Sequence, residues 1–311
     1  MVVLFHLHTV GGVGFGFLDP IIRGANTGVY VFFSLSGYLL YRPFVGREPS
    51  LLSYGIKRAA RILPGYFVAL LCLMVLTGNT LPLAHPIPYL TVASSYSVPL
   101  RAFLGSAWTL SAEILFYLTL PLIARAARGR HVLVLGGLGA ASALGAVAFA
   151  LLLTGDAQVW LATYPLVFYA FVPGMLLAVL EQSRPALFRR LATWPWLLLG
   201  GLYLVLGALF ADLPFEFAPV IGSALVMGWL LQHQPPGGRT LAFLGGMSYA
   251  AYLWHKDLII AFGPGGALLA LVGAALSWAV IERPILNWAH GLARRPAVAR
   301  EQEQPAPVSG A

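Results

Sequence analysis

The chain has very few charged residues for its length. Of its 311 residues, 10% are charged and 59% are hydrophobic. A soluble domain usually carries about 25% charged residues, because its surface must face water. The scarcity of charge excludes an ordinary soluble enzyme, a disordered chain and a protein that binds nucleic acid through its surface. The composition therefore predicts a protein embedded in a membrane.

Cysteine is almost absent as well. The single cysteine, Cys72, excludes a disulfide framework and a thiolate metal cluster within one chain. The spacing of His, Asp and Glu indicates no other metal site. The start of the chain lacks the basic segment and cleavage site of a secretory signal, so we expect no cleavable signal peptide.

Apolar stretches of membrane-span length recur along the chain, separated by short polar joints. A helix needs roughly 20 residues to cross the hydrocarbon core. The pattern predicts an all-α, polytopic bundle with about ten transmembrane spans. We assign residues 1–290 to one membrane domain and expect a disordered cytoplasmic tail over 291–311. The predicted spans are 1–18, 26–44, 64–82, 106–124, 132–154, 158–180, 195–211, 216–233, 240–261 and 264–281.

The distribution of basic residues predicts the orientation of this bundle. If the joint 42–61 lies in the cytoplasm, the cytoplasmic joints hold all of the 19 basic residues except Arg23, Arg101 and Lys256. The positive-inside rule then places both termini in the cytoplasm and explains the net charge of +8 without a nucleic-acid partner. Arginine outnumbers lysine 17 to 2, which hints at a bacterial source and hence a bacterial cytoplasmic membrane.

The longest predicted external connection, residues 83–105, is rich in proline and tyrosine. An irregular segment of this length is often functional. It is interpreted either as a lid or acceptor-binding loop, or as a plain connection.

Several motifs occur together in a fixed order along the chain. The motifs are VVLFH (2–6), GVYVFFSLSGY (28–38), KRAARILP (57–64), WTLSAEILFY (108–117) followed by Pro121, SYAAYLWH (248–255) and ERP (282–284). Each motif alone is weak, and the ordered set is specific. In this order and spacing the motifs resemble those of the membrane acyltransferase 3 family, and the resemblance covers about residues 1–290, nearly the whole chain.

The resemblance implies an O-acyltransferase. Members of the family move acyl groups, often acetyl, onto hydroxyls of sugars, polysaccharides, lipid-linked glycans or natural products. The implied co-substrate is acyl-CoA, with no bound cofactor or metal, and the implied partners are a hydroxyl-bearing acceptor and the lipid bilayer. The family pattern also places an Arg or Lys eleven positions before its essential histidine. Because only five residues precede His6, we expect the first span to be truncated at its N-terminal end.

His6 is the predicted general base. An ionisable side chain inside a membrane is a functional candidate by default. A neutral imidazole can take the proton of a hydroxyl as that hydroxyl attacks a thioester. The alternative is a polar residue that bonds a neighbouring helix. His8 lies about 200° from His6 on a helix, and we interpret it as structural.

Glu113 is the second predicted catalytic residue, because it is the only acidic residue in the middle of a predicted span. A carboxylate there needs a partner. It would orient His6, bind acceptor hydroxyls or pair with an arginine. The alternative is a buried hydrogen bond between helices.

Two further groups complete the predicted site. Lys57, Arg58 and Arg61 suit the phosphates of coenzyme A, and they equally suit anionic lipid headgroups or a topology signal. The predicted acceptor-binding residues lie in the motifs at 108–117 and 248–255, where an interfacial aromatic belt is the alternative. They are Trp108, Ser111, Tyr252 and His255.

The sequence thus predicts an acyltransferase that works either by direct transfer or through an acyl-His6 intermediate. A transporter with about ten spans is the main rival, although no internal repeat is evident. A truncated, inactive member of the family is the third reading.

Overall fold

The computed structural model describes residues 1–152, 163–210, 217–233 and 237–302 of the chain. Over these ranges the fold is all-helical, with no strand. Helices satisfy their own backbone hydrogen bonds, which an apolar chain in lipid requires. The longer helices are α1 (Val2–Thr9), α2 (Gly28–Tyr41), α3 (Leu51–Thr77), α4 (Trp108–Ala126), α5 (His131–Leu152), α6 (Val172–Ser183), α7 (Trp194–Leu209), α8 (Phe217–Leu230), α9 (Gly238–Phe262), α10 (Gly265–Ser277) and α11 (Arg283–Gln302).

Four helical segments in the described ranges are long and apolar enough to cross a membrane. A fifth joins Tyr164–Ala170 to Val172–Ser183 through a bend of 44°. Helices α7 and α8 are apolar but shorter. The chain is therefore a helical membrane protein, and the full count of ten spans stays a prediction. The four segments are Leu51–Thr77, Gly105–Ala126, His131–Leu152 and Gly265–Leu292.

Two predicted spans differ from the helices observed. The segment 1–18 is not one helix, because α1 ends at Thr9 and Gly12 and Gly16 adopt φ of +68° and +62°. The span predicted from residue 64 belongs to a helix that begins at Leu51, with Ser50 as its N-cap. Pro64 lies inside this helix rather than at its start.

The last helix ends at Gln302, within the segment 291–311 for which the sequence predicts disorder. Residues 303–311 lie outside the described ranges. The predicted span 264–281 also ends too early, because it belongs to the helical segment Gly265–Leu292. The start predicted at 158 lies outside the described residues, and the helices of the span 158–180 run from Tyr164 to Ser183 with a bend.

The packing is that of a bundle in lipid. Large aromatic side chains such as Tyr41, Tyr66 and Phe116 are fully buried. In contrast, Val75 is 83% exposed and Leu118 is 68% exposed. Exposed aliphatic side chains are the arrangement expected where the surroundings are hydrocarbon, because lipid tails are as apolar as leucine.

Residues 81–104 form short helices and turns that pack onto the bundle. Tyr89 is buried, and its hydroxyl donates to the Leu100 carbonyl at 2.7 Å. The Leu104 amide donates to the Asp257 carboxylate at 2.9 Å, which joins this segment to α9. The segment 83–105 is thus an ordered cap over one end of α4 and α9, and not an open loop.

Candidate active site

His6 on α1 lies against His255 on α9. The His6 Nδ1 and the His255 Nε2 are 2.8 Å apart, so the two rings share a hydrogen bond. His255 is completely buried, whereas His6 is half-buried. The two residues are 249 positions apart in sequence, and the packing of α1 against α9 brings them together.

The surrounding backbone assigns the protons of this pair. The other nitrogen of His255, Nδ1, lies 2.7 Å from the Tyr252 carbonyl oxygen, which can only accept. His255 Nδ1 therefore carries the hydrogen, and in a neutral ring Nε2 is the acceptor. It follows that His6 Nδ1 donates to His255. The lone pair of the neutral His6 ring then lies on its Nε2, as a general base requires.

His6 lines a cavity of about 260 Å³, here called the His6 cavity. Trp108 and Tyr252, both predicted to bind the acceptor, line it too. Two cations, Arg101 and Lys256, complete its polar wall. Buried oxygens of Asn26 and Ser106, which also line this cavity, have no hydrogen-bond partner within the described part of the chain. The cavity therefore offers cations and unsatisfied polar groups beside the His6 ring.

Glu113 lines a second cavity of about 240 Å³, the Glu113 cavity. Glu113 is only 4% exposed, and its Oε1 accepts hydrogen bonds from two hydroxyls. The Ser36 hydroxyl donates at 3.0 Å and the Tyr117 hydroxyl at 2.6 Å. The Ser36 bond connects α2 to α4, whereas the Tyr117 bond lies within α4. Glu113 therefore also joins two helices, which is the alternative interpretation.

The predicted basic group lies at different depths around Glu113. Arg61 lines the Glu113 cavity, with its guanidinium 5.5 Å from the Tyr249 ring centre. The Arg58 guanidinium lies 5.9 Å from the ring centre of Tyr117. Lys57 is half-buried and is not among the lining residues of this cavity. Two arginines therefore contact the aromatic rings around the carboxylate.

The two cavities adjoin but hold different groups. Val2, Val29 and Tyr252 line both of them. His6 lines one and Glu113 the other, and the hydrogen-bond partner of His6 Nδ1 is His255. The structure thus brings His6, His255, Trp108 and Tyr252 together, and it places Glu113 and Arg61 on the far side of a shared wall.

Ser111 and His8 make contacts outside these cavities. The Ser111 hydroxyl lies 2.7 Å from that of Ser95 and also bonds the Val92 carbonyl, so it fastens the cap to α4. His8 Nδ1 lies 2.9 Å from the Val13 carbonyl oxygen, and Arg23 donates to its Nε2 at 3.3 Å. These bonds stabilise the turn after α1, in line with a structural role for His8.

Sequence reasoning did not single out several of the groups found here. Glu282 and Asp257 are buried carboxylates, and each has one oxygen without a partner among the described residues. Arg101 and Lys256 are two of the three basic residues that the positive-inside assignment leaves off the cytoplasmic side. Their position off the cytoplasmic side could have indicated them as site residues, because a cation within the membrane is a functional candidate by default.

The fold is that of a helical membrane protein with a histidine pair beside a polar cavity. The model of the acyltransferase domain family known as Acyl_transf_3 matches residues 1–288. The chain belongs to this family and is an acyltransferase. The resemblance read from the motifs is confirmed.

Two curated relatives cover most of the chain. Nodulation protein 10 of Rhizobium leguminosarum bv. viciae is 29% identical over 88% of this chain and 85% of its own. The exopolysaccharide production protein ExoZ of Rhizobium meliloti is 29% identical over 86% of this chain and 91% of its own. No solved structure matches the chain significantly.

Proposed function

We propose that this acyltransferase moves an acyl group, acetyl in the first instance, from acyl-CoA to a hydroxyl of a carbohydrate or glycolipid. The observation that carries the proposal is the bond between His6 and His255, which leaves His6 Nε2 as a base beside a polar cavity. The names of the two relatives, in nodulation and exopolysaccharide production, support a carbohydrate acceptor.

The chemistry balances with His6 alone as the proton carrier. His6 Nε2 takes the proton of the acceptor hydroxyl as its oxygen attacks the thioester carbonyl. The carbon–sulfur bond then breaks, and the imidazolium returns the proton to the departing thiolate of coenzyme A. A relay is the other route, in which His6 Nε2 attacks the thioester carbonyl and the thiolate of coenzyme A departs. The acceptor oxygen then attacks the acyl-imidazole, the carbon–nitrogen bond breaks, and the freed imidazole takes the hydroxyl proton and passes it to the thiolate.

We assign one of the two cavities to each substrate. We assign the His6 cavity, with Trp108, Tyr252 and the cap, to the acceptor. The Glu113 cavity, which Arg61 lines, receives the arm of the donor, and the thioester end meets His6 where Val2, Val29 and Tyr252 border both cavities. In an arrangement of ten spans with both termini in the cytoplasm, the donor enters from the cytoplasmic side of a bacterial cytoplasmic membrane. The acceptor then lies toward the external side.

Labelled acyl-CoA tests this function against the transporter alternative. Membrane vesicles that contain the protein are incubated with [14C]acetyl-CoA and the glycan and glycolipid fractions of the host, with vesicles lacking the protein as control. We expect label in an ester that mild alkali removes from a glycan or glycolipid. Label that never leaves coenzyme A, together with accumulation of a solute in the vesicles, would contradict the proposal.

A further inference from the structure

A third cavity lies at the opposite end of α4 from His6. Trp108, at the start of α4, lines the His6 cavity, whereas Arg125, near its end, lines this one. Its volume of about 600 Å³ is within the range of small-molecule sites. We call it the arginine cleft, after the charged side chains that line it: Arg47, Arg125 and Arg128, with Glu48 and His131.

The arginine cleft has an excess of positive charge. Its three guanidinium groups face a single lining carboxylate, Glu48, which pairs with Arg128. Across the described residues, Arg47 and Arg125 form no ion pair. At the edge of the cleft His131 shares a 2.7 Å hydrogen bond with the buried Tyr41 hydroxyl, which fixes that wall. Forked guanidinium donors match phosphate oxygens in geometry and charge.

Helix α4 runs from the Glu113 cavity to the arginine cleft. Tyr117 lines the Glu113 cavity, and Pro121 and Arg125 line the cleft. Residues four apart are neighbours on a helix and turn about 40° around its axis at each step, so these three follow one ridge. From Tyr117 to Arg125 this ridge covers about 12 Å. A long ligand lying along the ridge would have one end among arginines and the other in the Glu113 cavity.

Beside the residues that join the two cavities, one buried polar group lacks a hydrogen-bond partner among the described residues. The Tyr54 hydroxyl donates to the Tyr117 carbonyl at 3.2 Å, and its ring contacts Phe44 of the cleft. Beside them, Arg58 has a buried Nε that lacks a hydrogen-bond partner among the described residues. A polar segment of a ligand crossing the junction would satisfy it.

We propose that the arginine cleft binds the phosphates at the nucleotide end of acyl-CoA, while the thioester arm follows α4 into the Glu113 cavity. This inference rests on the proposed function, in which acyl-CoA is the donor. It places the phosphates on Arg47, Arg125 and Arg128, and not on the 57–61 cluster that the sequence favours. The shared chemistry is phosphate, which anionic lipid headgroups also carry.

The test measures binding of coenzyme A to the full chain in phosphatidylcholine nanodiscs. The variant Arg125→Gln/Arg128→Gln removes two cleft charges. Arg189→Gln/Arg190→Gln removes two exposed charges from the helix Pro185–Arg190 and serves as the matched control. Pantetheine, which lacks the phosphates, is measured alongside, and circular dichroism verifies that both variants fold.

We expect the Kd of coenzyme A to rise at least about tenfold in the cleft variant and to change less than about twofold in the control. The Kd of pantetheine should be unchanged in both. An unchanged Kd of coenzyme A in the cleft variant would overturn the site. If the Kd of coenzyme A is unchanged and phosphatidylglycerol raises the thermal stability of the wild type but not of the cleft variant, the cleft is a lipid headgroup site and the proposal is wrong. If the wild-type chain bound no coenzyme A, the donor in the proposed function would fail together with this site.

Discussion

At the scale of single residues, the central feature is the His6 and His255 pair. Burial and the Tyr252 carbonyl fix His255 as the acceptor of a hydrogen bond from His6. In the proposed mechanism His255 is a positioning residue for the base, in the same way that a carboxylate orients the histidine of other acyl-transfer enzymes. Glu113 cannot take this role in the geometry observed, because its hydroxyl partners are Ser36 and Tyr117.

The role of His255 predicts a graded response to substitution. His255→Gln keeps a carbonyl acceptor for His6 and an amide donor, whereas His255→Leu keeps only volume. We expect kcat of His255→Leu to fall about 10- to 100-fold with little change in KM for acyl-CoA, because the ring of His6 loses its orientation. His255→Gln should retain more activity. Equal loss in both variants would indicate that His255 acts in another way.

Two substitutions of Glu113 should separate its effect on stability from its effect on acyl transfer. Glu113→Ala leaves the buried hydroxyls of Ser36 and Tyr117 unpaired, so we expect it to lower the free energy of unfolding by about 1–3 kcal/mol. Glu113→Gln keeps an acceptor for both hydroxyls and should stay close to the wild type in thermal unfolding. If Glu113→Gln is stable yet loses transfer, the carboxylate acts on a substrate. If it is stable and active, Glu113 only joins α2 to α4.

What the sequence could predict at this scale was the residue types, and not all of their pairings. His6 and His255 were both found, because each ends a motif in an apolar segment. Their contact was not, since it depends on the packing of two helices 249 positions apart. Ser111 lies in a motif as well, yet its hydroxyl holds the cap. A motif indicates which residues belong to a site, but it does not predict which residues they contact.

At the scale of helices, α2 and α6 cross at a point where only glycine fits. A Cβ on Gly37 would overlap the Phe171 carbonyl, and one on Gly174 would overlap the Ser34 carbonyl. Small residues at such a crossing let two backbones approach closely. The crossing fixes the position of α2, whose Ser36 hydroxyl donates to the Glu113 carboxylate.

This crossing predicts a difference between two glycine substitutions. Gly37→Ala should lower the midpoint of thermal unfolding strongly, because backbone atoms must separate to admit the methyl group. Overpacking of this kind typically costs about 1–3 kcal/mol. Gly136→Ala on α5 has open space around the new Cβ and should be neutral or slightly stabilising. Equal effects of the two variants in thermal unfolding would contradict the assigned crossing.

Periodicity and apolar length were enough to predict most helices, but not every boundary. The predicted start at 64 relied on Pro64, yet the helix begins at Leu51, because Ser50 caps its N-terminus and the helix continues through Pro64. The segment 1–18 was predicted as a span by its composition. Its glycines with positive φ end the helix at Thr9.

At the scale of the whole molecule, a group of basic residues lies at the end of α4 away from His6. Arg47, Arg125 and Arg128 line one cleft there, as the alternation of basic joints predicts. Arg101 and Lys256 lie in the His6 cavity at the other end. The orientation in the membrane follows as a prediction.

Cysteine labelling tests that orientation. In a Cys72→Ala background, Val98→Cys places a thiol on the exposed part of the cap, and Ser183→Cys places one at the end of α6. A maleimide that cannot cross membranes should label Val98→Cys in intact spheroplasts. It should label Ser183→Cys only after lysis. The reverse pattern would contradict cytoplasmic termini in a ten-span arrangement.

The most direct measurement of the central claim is acetyl transfer by His6→Ala beside His8→Ala. Both variants remove one imidazole from the same short helix, but only His6 lines the cavity and bonds His255. With membrane levels of the two proteins matched, we predict that His6→Ala lowers the rate about 10²- to 10⁴-fold, as loss of a general base does. His8→Ala should keep most of the rate. Full activity of His6→Ala would contradict the account.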